Sequence, residues 1–328
     1  MKTYAVIGSN CFTGSHIVDA LLEDPSNFVL GFSRSPESNP IYLPYKKKGQ
    51  QNFKFFQVNI RETEKLMFLL DEHQPFCVIN VAALSEVGLS NHSPVEYFQT
   101  NTLGVVQLCN QLRTRKYLER YIHISSAEIY GSCPEALLED APLYPSTPYA
   151  VSKAAADMYL LTLFKNFNFP VNLIRSTNVY GRHQQLFKII PRTFIYLKQG
   201  KKIELHGGGK AVKTWLHIRD VVDGILKTLH LGKPGDIFHF ADVHSIAIDD
   251  LVRMICKITG HDYATATQVV GERLGQDARY LLDYGKAGRE LGWKPQVSIE
   301  QGLKETQIWI DENWSEVIHE PLTYVHKA

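Results

Sequence analysis

Short apolar runs alternate with helically spaced apolar positions through the first half of the chain. The runs cover Thr3–Ile7, Phe28–Ser33, Phe53–Gln57, Cys77–Val81, Arg120–Ser125 and Val171–Arg175, and each has the length of a strand. Between them lie sets such as Ile17, Val18, Leu21 and Leu22, or Leu66, Met67, Leu69 and Leu70. Positions three and four apart share one helix face, so these segments predict helices that lie on a sheet. Strands alternating with helices predict an α/β fold with a doubly wound parallel sheet. Asp236–Ala241 reads as one more strand, returning late to that sheet.

After Tyr180-Gly181 the alternation weakens. Gly207-Gly-Gly209 marks a loop, and helical patterns follow at Ile248–Ile258 and Ile299–Asn313. The second opens with Ser298-Ile-Glu-Gln301, a capping-box pattern. The expected organisation is a larger first domain, residues 1–181, to which the stretch around 213–245 returns. Residues 182–212 and 246–328 form a smaller mixed α/β C-terminal domain suited to binding substrate. No internal repeat or low-complexity segment interrupts this plan.

Composition narrows the picture. With 328 residues, 44% hydrophobic, the chain has ample material for such cores. Its formal net charge is +1, and its basic runs stop at Lys46-Lys-Lys48 and Lys201-Lys202. Bulk electrostatics gives no case for nucleic acid or a membrane surface as partner. The five cysteines are scattered, odd in number and never in a C-x-x-C pair. They read as reduced thiols of a cytoplasmic protein, with neither a disulfide frame nor a metal site. A strand begins almost at Met1, which leaves no room for a signal peptide, and no apolar stretch has the length of a membrane span.

The chemistry begins at the first strand–helix junction, Ile7-Gly-Ser-Asn-Cys-Phe-Thr-Gly-Ser15. Gly8 suits a tight turn and Gly14 a close approach of helix to sheet. A pyrophosphate placed there meets free N–H groups and the positive end of the helix dipole. The second strand ends at Ser33-Arg34, where a free ribose 2′-hydroxyl usually meets an acidic residue. Arginine suits a 2′-phosphate, so the expected cofactor is NADP, with NAD the second choice. Asn59, just after the third strand, suits either the adenine edge or a turn.

Tyr149 and Lys153 stand four apart in Pro148-Tyr-Ala-Val-Ser-Lys153, one turn along a single helix face. The Lys153 ammonium is expected to favour the Tyr149 phenolate and lower its pKa from about 10. Such a base takes a proton from a sugar hydroxyl whose carbon gives hydride to a nicotinamide.

The glycine turn, Asn80-Val-Ala-Ala83, Asn101-x-x-Gly104, Ser125-Ser126, Tyr130-Gly131 and Tyr149-x-x-x-Lys153 together resemble the extended short-chain dehydrogenase/reductase family over nearly the whole chain. The resemblance implies a Rossmann fold with cofactor contacts at Gly8, Ser9, Asn10, Cys11, Phe12, Thr13, Gly14, Ser33, Arg34, Asn59, Ile60, Val81, Ala82, Ala83, Asn101, Tyr149 and Lys153. Within the family the second half is most similar to nucleotide-hexose 4,6-dehydratases of the dTDP-glucose and GDP-mannose types. The matching stretches are Gly181–Pro191, Lys213-Thr-Trp215, Arg273–Tyr280 and Leu291-Gly-Trp-Lys-Pro295. That implies a nucleotide-diphosphate hexose as substrate, with contacts from Ser85, Ser126, Asn178, Lys188, Lys213 and Arg273. It also implies a homodimer through the helices Pro94–Arg113 and Pro148–Asn166. Three departures stand out: Cys11 replaces the middle glycine of the turn, Lys213 replaces a usual arginine, and Ala127 replaces the aspartate acid of the dTDP-glucose enzymes. The GDP-mannose enzymes carry a serine there.

The implied cycle is redox-neutral. Tyr149 and Lys153 deprotonate the 4-hydroxyl, Ser126 binds the 4-oxygen, Glu128 removes the proton on carbon 5, and water leaves from carbon 6. Glu128 then serves twice, as base and as acid. A 4-epimerase needs only Ser126, Tyr149, Lys153 and a sugar that flips. A glucuronate decarboxylase keeps Glu128 but needs a cation that Leu84–Ser90 does not offer. A net reductase exchanges free NADPH. A non-enzymatic redox sensor binds NADP without turnover, and the intact Ser126, Tyr149 and Lys153 argue against it.

Overall fold

The computed structural model describes residues 2–47, 51–133, 135–271 and 281–324. Seven strands form the central sheet: β1 (Lys2–Ile7), β2 (Asn27–Ser33), β3 (Phe53–Gln57), β4 (Cys77–Asn80), β5 (Arg120–Ile124), β6 (Val171–Ser176) and β7 (Ile237–Phe240). Their order is β7-β6-β5-β4-β1-β2-β3, and every pairing is parallel. The strand ends read from the apolar runs hold to within one residue.

The sheet is covered on both faces, and alternation along β1 decides which side chain goes where. Tyr4 and Val6 enter one core, with Ile17, Val18 and Leu21 of helix α1 (Phe12–Leu21). Ala5 and Ile7 enter the other, with helices α2 (Thr63–His73), α3 (Gly104–Leu112) and α4 (Pro148–Phe167). A strand buried on both faces needs mostly apolar residues, which is why the inner strands read as near-continuous runs, whereas the edge strand β3 is half-exposed and carries Lys54 and Gln57.

A further core lies beyond the sheet, among α5 (Ile189–Lys198), α7 (Ile248–Thr259) and α8 (Ile299–Glu312), with Trp309 fully buried in it. The stretch 213–245 divides its loyalties. β7 joins the central sheet, and helix α6 (Ile218–Leu231) packs on it through Val221, Ile225 and Leu229. Val212–His217 instead pairs with Asn178–Tyr180 and Ser245–Ala247 in a three-stranded sheet. The capping box of α8 forms by half. Ser298 Oγ accepts from Gln301 N at 3.3 Å, but the Gln301 amide turns to Glu305 at 2.9 Å.

Candidate active site

The turn after β1 is shaped by close backbone approach. Gly8 has φ +94°, and a Cβ there would lie 2.7 Å from Ala82 N. A Cβ on Gly14 would collide with the Gly8 carbonyl. Only glycine fits either position. Cys11 has φ −80°, a conformation open to any residue, and its thiol caps α1 by accepting from Gly14 N at 3.3 Å. Its replacement of glycine is therefore compatible with the turn. Burial pushes the thiol up to about 11, so it stays neutral. Ser9 is fully buried, Asn10 and Phe12 are nearly so, and Thr13 is half-buried. Ser9 Oγ and Asn10 Oδ1 have no hydrogen-bond partner in the protein. The orphaned Ser9 hydroxyl, a donor beside a glycine cradle at a helix N-terminus, fits a dinucleotide phosphate, whereas Asn10 Oδ1 is an acceptor and fits a donor such as a ribose hydroxyl. Val81, Ala82 and Ala83 line the next strand end half-buried, and Val81 N donates to Ile7 O at 2.8 Å.

Tyr149 sits in the first turn of α4, just after Pro148. The helix starts there because Thr147 caps it, its hydroxyl accepting from Ala150 N at 3.2 Å. Ser126 closes β5 and caps the short turn Ala127–Tyr130, accepting from Glu128 N at 3.2 Å. Thus the end of β5 and the start of α4 bring Ser126, Glu128 and Tyr149 together. Burial raises the Tyr149 pKa strongly, the charge of Glu128 raises it further, and a hydrogen bond with Ser126 opposes both. The expectation that Lys153 lowers the Tyr149 pKa is not met, because desolvation dominates. The buried Lys153 ammonium points to β5, donating to Ile124 O at 2.6 Å and to His123 Nε2 at 3.2 Å. Burial lowers the Lys153 pKa to about 8, and Asp157 opposes that shift.

Other expected contacts divide. Ser33 Oγ accepts from Asn10 N at 3.0 Å and so braces the glycine turn. Arg34, half-buried, hydrogen-bonds with Tyr324 near the described C-terminus. Asn59 shapes a turn, its Oδ1 accepting from Arg61 N at 3.1 Å, while Ile60 is buried core. Asn101, fully buried, spends its side chain within the protein. Its amide bonds Leu84 N at 2.8 Å, Leu84 O at 3.0 Å and Ser152 Oγ at 3.0 Å, fixing the loop after β4. On the substrate side Ser85 is exposed, and Asn178 Nδ2 donates to Thr214 O at 3.2 Å. Lys188 is ion-paired with Glu86 of the loop after β4. Lys213 is buried at 9% exposure, which rules out a solvated surface lysine. Arg273 lies outside the described residues.

The structure adds residues that pattern alone did not single out. Tyr97 packs edge-on to Tyr149 with ring centroids 6.4 Å apart, and its hydroxyl donates to Glu86 O at 2.6 Å. His123 takes the Lys153 ammonium. Asp157 and Arg175 form an ion pair at 3.0 Å between α4 and β6. One signal was readable: Asp157 follows Lys153 by the same four residues that separate Lys153 from Tyr149. No group of three or more metal-ligating side chains occurs among the described residues.

A parallel Rossmann sheet, a glycine cradle and a Ser–Tyr–Lys set on β5 and α4 define an extended short-chain dehydrogenase/reductase. A family profile described as GDP-mannose 4,6 dehydratase matches residues 6–306, and the chain belongs to that family. The chain is similar to dTDP-D-glucose 4,6-dehydratase of Mus musculus, 31% identical over 320 residues that cover 95% of this chain and 90% of the relative. Among solved structures it is similar to a dTDP-glucose 4,6-dehydratase of Streptomyces venezuelae with NAD bound: 30% identity, TM-score 0.89, covering 98% of this chain and all of that one. A UDP-glucose 4-epimerase of Thermotoga maritima follows at 25% identity and TM-score 0.87, covering 95% and 99%. These findings support an enzyme of nucleotide-sugar 4,6-dehydration over the epimerase alternative. They support a nicotinamide dinucleotide cofactor, but not NADP as first choice, since the Streptomyces venezuelae enzyme carries NAD.

Proposed function

We propose that the protein converts a nucleotide-diphosphate hexose to its 4-keto-6-deoxy form with a retained NAD. One observation carries the reading: Tyr149 and Glu128 share one site, close enough that the carboxylate charge raises the phenol's pKa. Dehydration needs a base for the 4-hydroxyl and a second for carbon 5, and an epimerase needs only the first. A nicotinamide bound here would supply the acceptor for the carbon 4 hydride and the donor that returns it to carbon 6. Gly8, Ser9, Asn10, Cys11, Phe12, Thr13 and Gly14 would cradle its pyrophosphate. The NAD bound in the Streptomyces venezuelae relative supports NAD over NADP.

Tyr149 acts as base in its phenolate form. Burial and Glu128 oppose that form, and a hydrogen bond with Ser126 favours it. Ser126 holds the 4-oxygen. Once carbon 4 is a ketone, the carbon 5 proton is acidic and Glu128 takes it. Ala127 is buried, at 1% exposure, in a core with Ile129 and Ala154, and supplies no acid. Glu128 therefore passes its new proton to the departing 6-hydroxyl. Asn178, Lys188, Lys213 and Arg273 hold the diphosphate, and Lys188 exchanges Glu86 for it.

The reading includes two domains with boundaries at 181–182, 212–213 and 245–246, a cytoplasmic location and a homodimer. All five cysteines are free, which supports a reducing compartment. Val95, Phe98 and Leu103 on one segment, and Val151, Met158 and Phe167 on α4, expose apolar side chains that a second copy would cover. Light scattering should read twice the chain's mass; a single chain's mass would refute the dimer. The test of activity is mass spectrometry of products from UDP-, dTDP-, GDP- and CDP-hexoses without added cofactor. Loss of water from one of them is expected. Unchanged mass with altered stereochemistry would replace the reading with epimerisation, and loss of carbon dioxide would replace it with decarboxylation.

A further inference from the structure

Two opposite charges are buried between α4 and β6. Asp157 is fully buried and Arg175 is 2% exposed, with Arg175 Nε donating to Asp157 Oδ2 at 3.0 Å. Burying such a pair gains little stability, because desolvation offsets most of the attraction. Apolar residues of similar volume would fill the space as well. They would not make the bonds this pair makes at its edges. Ser125 Oγ donates to Asp157 Oδ2 at 2.9 Å. Arg175 Nη1 donates to the Tyr130 hydroxyl and to Glu139 O at 2.9 Å, and the guanidinium lies 5.1 Å from the Tyr130 ring centroid. The Tyr130 hydroxyl is in turn 2.7 Å from His239 Nε2 on β7.

Ser125 and Tyr130 are the two ends of one short segment. Between them stand Ser126 and Glu128, the residues that share a site with Tyr149. Asp157 itself rides on α4, in line with Tyr149 and Lys153 at successive turns. The carboxylate therefore joins the helix that carries the base to the segment that carries the other two groups, and Arg175 extends the grip to the segment's far end.

We propose that Asp157 and Arg175 are positioning residues that fix Ser126 and Glu128 against Tyr149, so that both proton transfers share one geometry. The Glu128 half of the proposal rests on the dehydratase reading. The Ser126 half holds for any reaction that begins by oxidising carbon 4. Misplacing a reacting group by about 1 Å can cost a hundredfold in rate, so a loosened segment should show in kinetics before it shows in folding.

The test uses the full chain with its retained cofactor and two variants, Tyr130→Phe and Arg175→Lys. Tyr130→Phe removes one hydroxyl and keeps the ring packing. Arg175→Lys keeps the charge beside Asp157 but lacks the planar fork that reaches both Asp157 and Tyr130. Rates are taken per bound cofactor, so unfolded protein does not count. In Tyr130→Phe, exchange of the carbon 5 hydrogen with deuterated water should slow about tenfold, with KM changed less than about twofold. In Arg175→Lys, that exchange and the first appearance of reduced nicotinamide should both slow by at least about tenfold. A pair that only balances charge would be rescued by lysine, so wild-type rates in Arg175→Lys would overturn the proposal. Wild-type exchange in Tyr130→Phe would overturn it as well. Should the wild-type enzyme exchange no carbon 5 hydrogen at all, the dehydratase reading fails instead. The first hydride transfer in Arg175→Lys still decides the pair.

Discussion

The glycine turn and the first turns of α4 are built by opposite means. The turn works through backbone shape: Gly8 and Gly14 are excluded-volume requirements, while Cys11 shows that the middle position accepts a side chain at ordinary φ. The α4 face works through side chains, and each is conditioned by others distant in sequence. Tyr149 answers to Ser126 and Glu128, Lys153 to His123 and Ile124, Asp157 to Ser125 and Arg175. A site made of backbone tolerates changes of chemistry but not of size; a site made of buried polar side chains tolerates the reverse poorly.

Four variants sharpen that contrast, and the largest effect belongs to α4. Tyr149→Phe removes one hydroxyl and almost no volume. It should abolish turnover, a loss of about 4 kcal/mol or more in transition-state stabilisation, while the purified protein keeps its cofactor and its unfolding midpoint. A tenth of wild-type activity would remove Tyr149 from its role. Gly14→Ala should do the opposite, because its methyl meets the Gly8 carbonyl. We expect a loss of about 3 kcal/mol in denaturant unfolding and weaker cofactor retention. Unchanged stability would show that the turn has room to spare.

The third contrast is in pH. Lys153 titrates at about 8 and Cys11 at about 11. Lysine is charged below its pKa, so the Lys153 ammonium is present below about 8 and lost above it. Its neighbours are His123 and the Ile124 carbonyl from β5 and Asp157 from its own helix. His123 is held neutral by burial and by Lys153, so it adds no charge of its own. With the Tyr149 pKa raised, the phenolate grows about tenfold per pH unit, while the ammonium falls by the same factor above about 8. A turnover that needs both should therefore rise along a limb up to about pH 8 and level off above it. Cys11→Ser should leave that limb in place, since the thiol stays neutral there; a shift of the limb would implicate the turn instead. The smallest effect is that of Cys11→Gly, which removes a helix cap and should cost about 0.5 kcal/mol or less in unfolding.

The contrast also explains what was legible in the sequence. The strands were legible because the inner ones are buried on both faces and so are mostly apolar, while the half-exposed edge strand β3 keeps three phenylalanines beside Lys54 and Gln57. Gly14 was legible because what crowds it, the Gly8 carbonyl, lies within seven residues of chain, and Gly8 because a tight turn needs its positive φ, although the Ala82 backbone crowds it as well. Tyr149 and Lys153 were legible as a helical pair, but their electrostatics were not. Spacing gives the distance along α4, not the burial that raises the phenol or the β5 groups that take the ammonium. Asn101 read as a ligand contact and is instead spent on Leu84 and Ser152. Arg34 read as a 2′-phosphate site because its partner Tyr324 lies 290 positions away in the chain. Arg175 was not singled out, because nothing in the strand Val171–Ser176 says which buried carboxylate it meets.

The central claim is that Glu128 removes the carbon 5 proton after Tyr149 has opened carbon 4 to oxidation. Turnover in deuterated water reads it directly. The account predicts a product lighter by one water and carrying solvent deuterium at carbon 5, and in Glu128→Gln a stalled enzyme with reduced nicotinamide and no carbon 5 exchange. A wild-type product of unchanged mass without solvent deuterium, formed by Glu128→Gln at a rate within about tenfold of wild type, would contradict it.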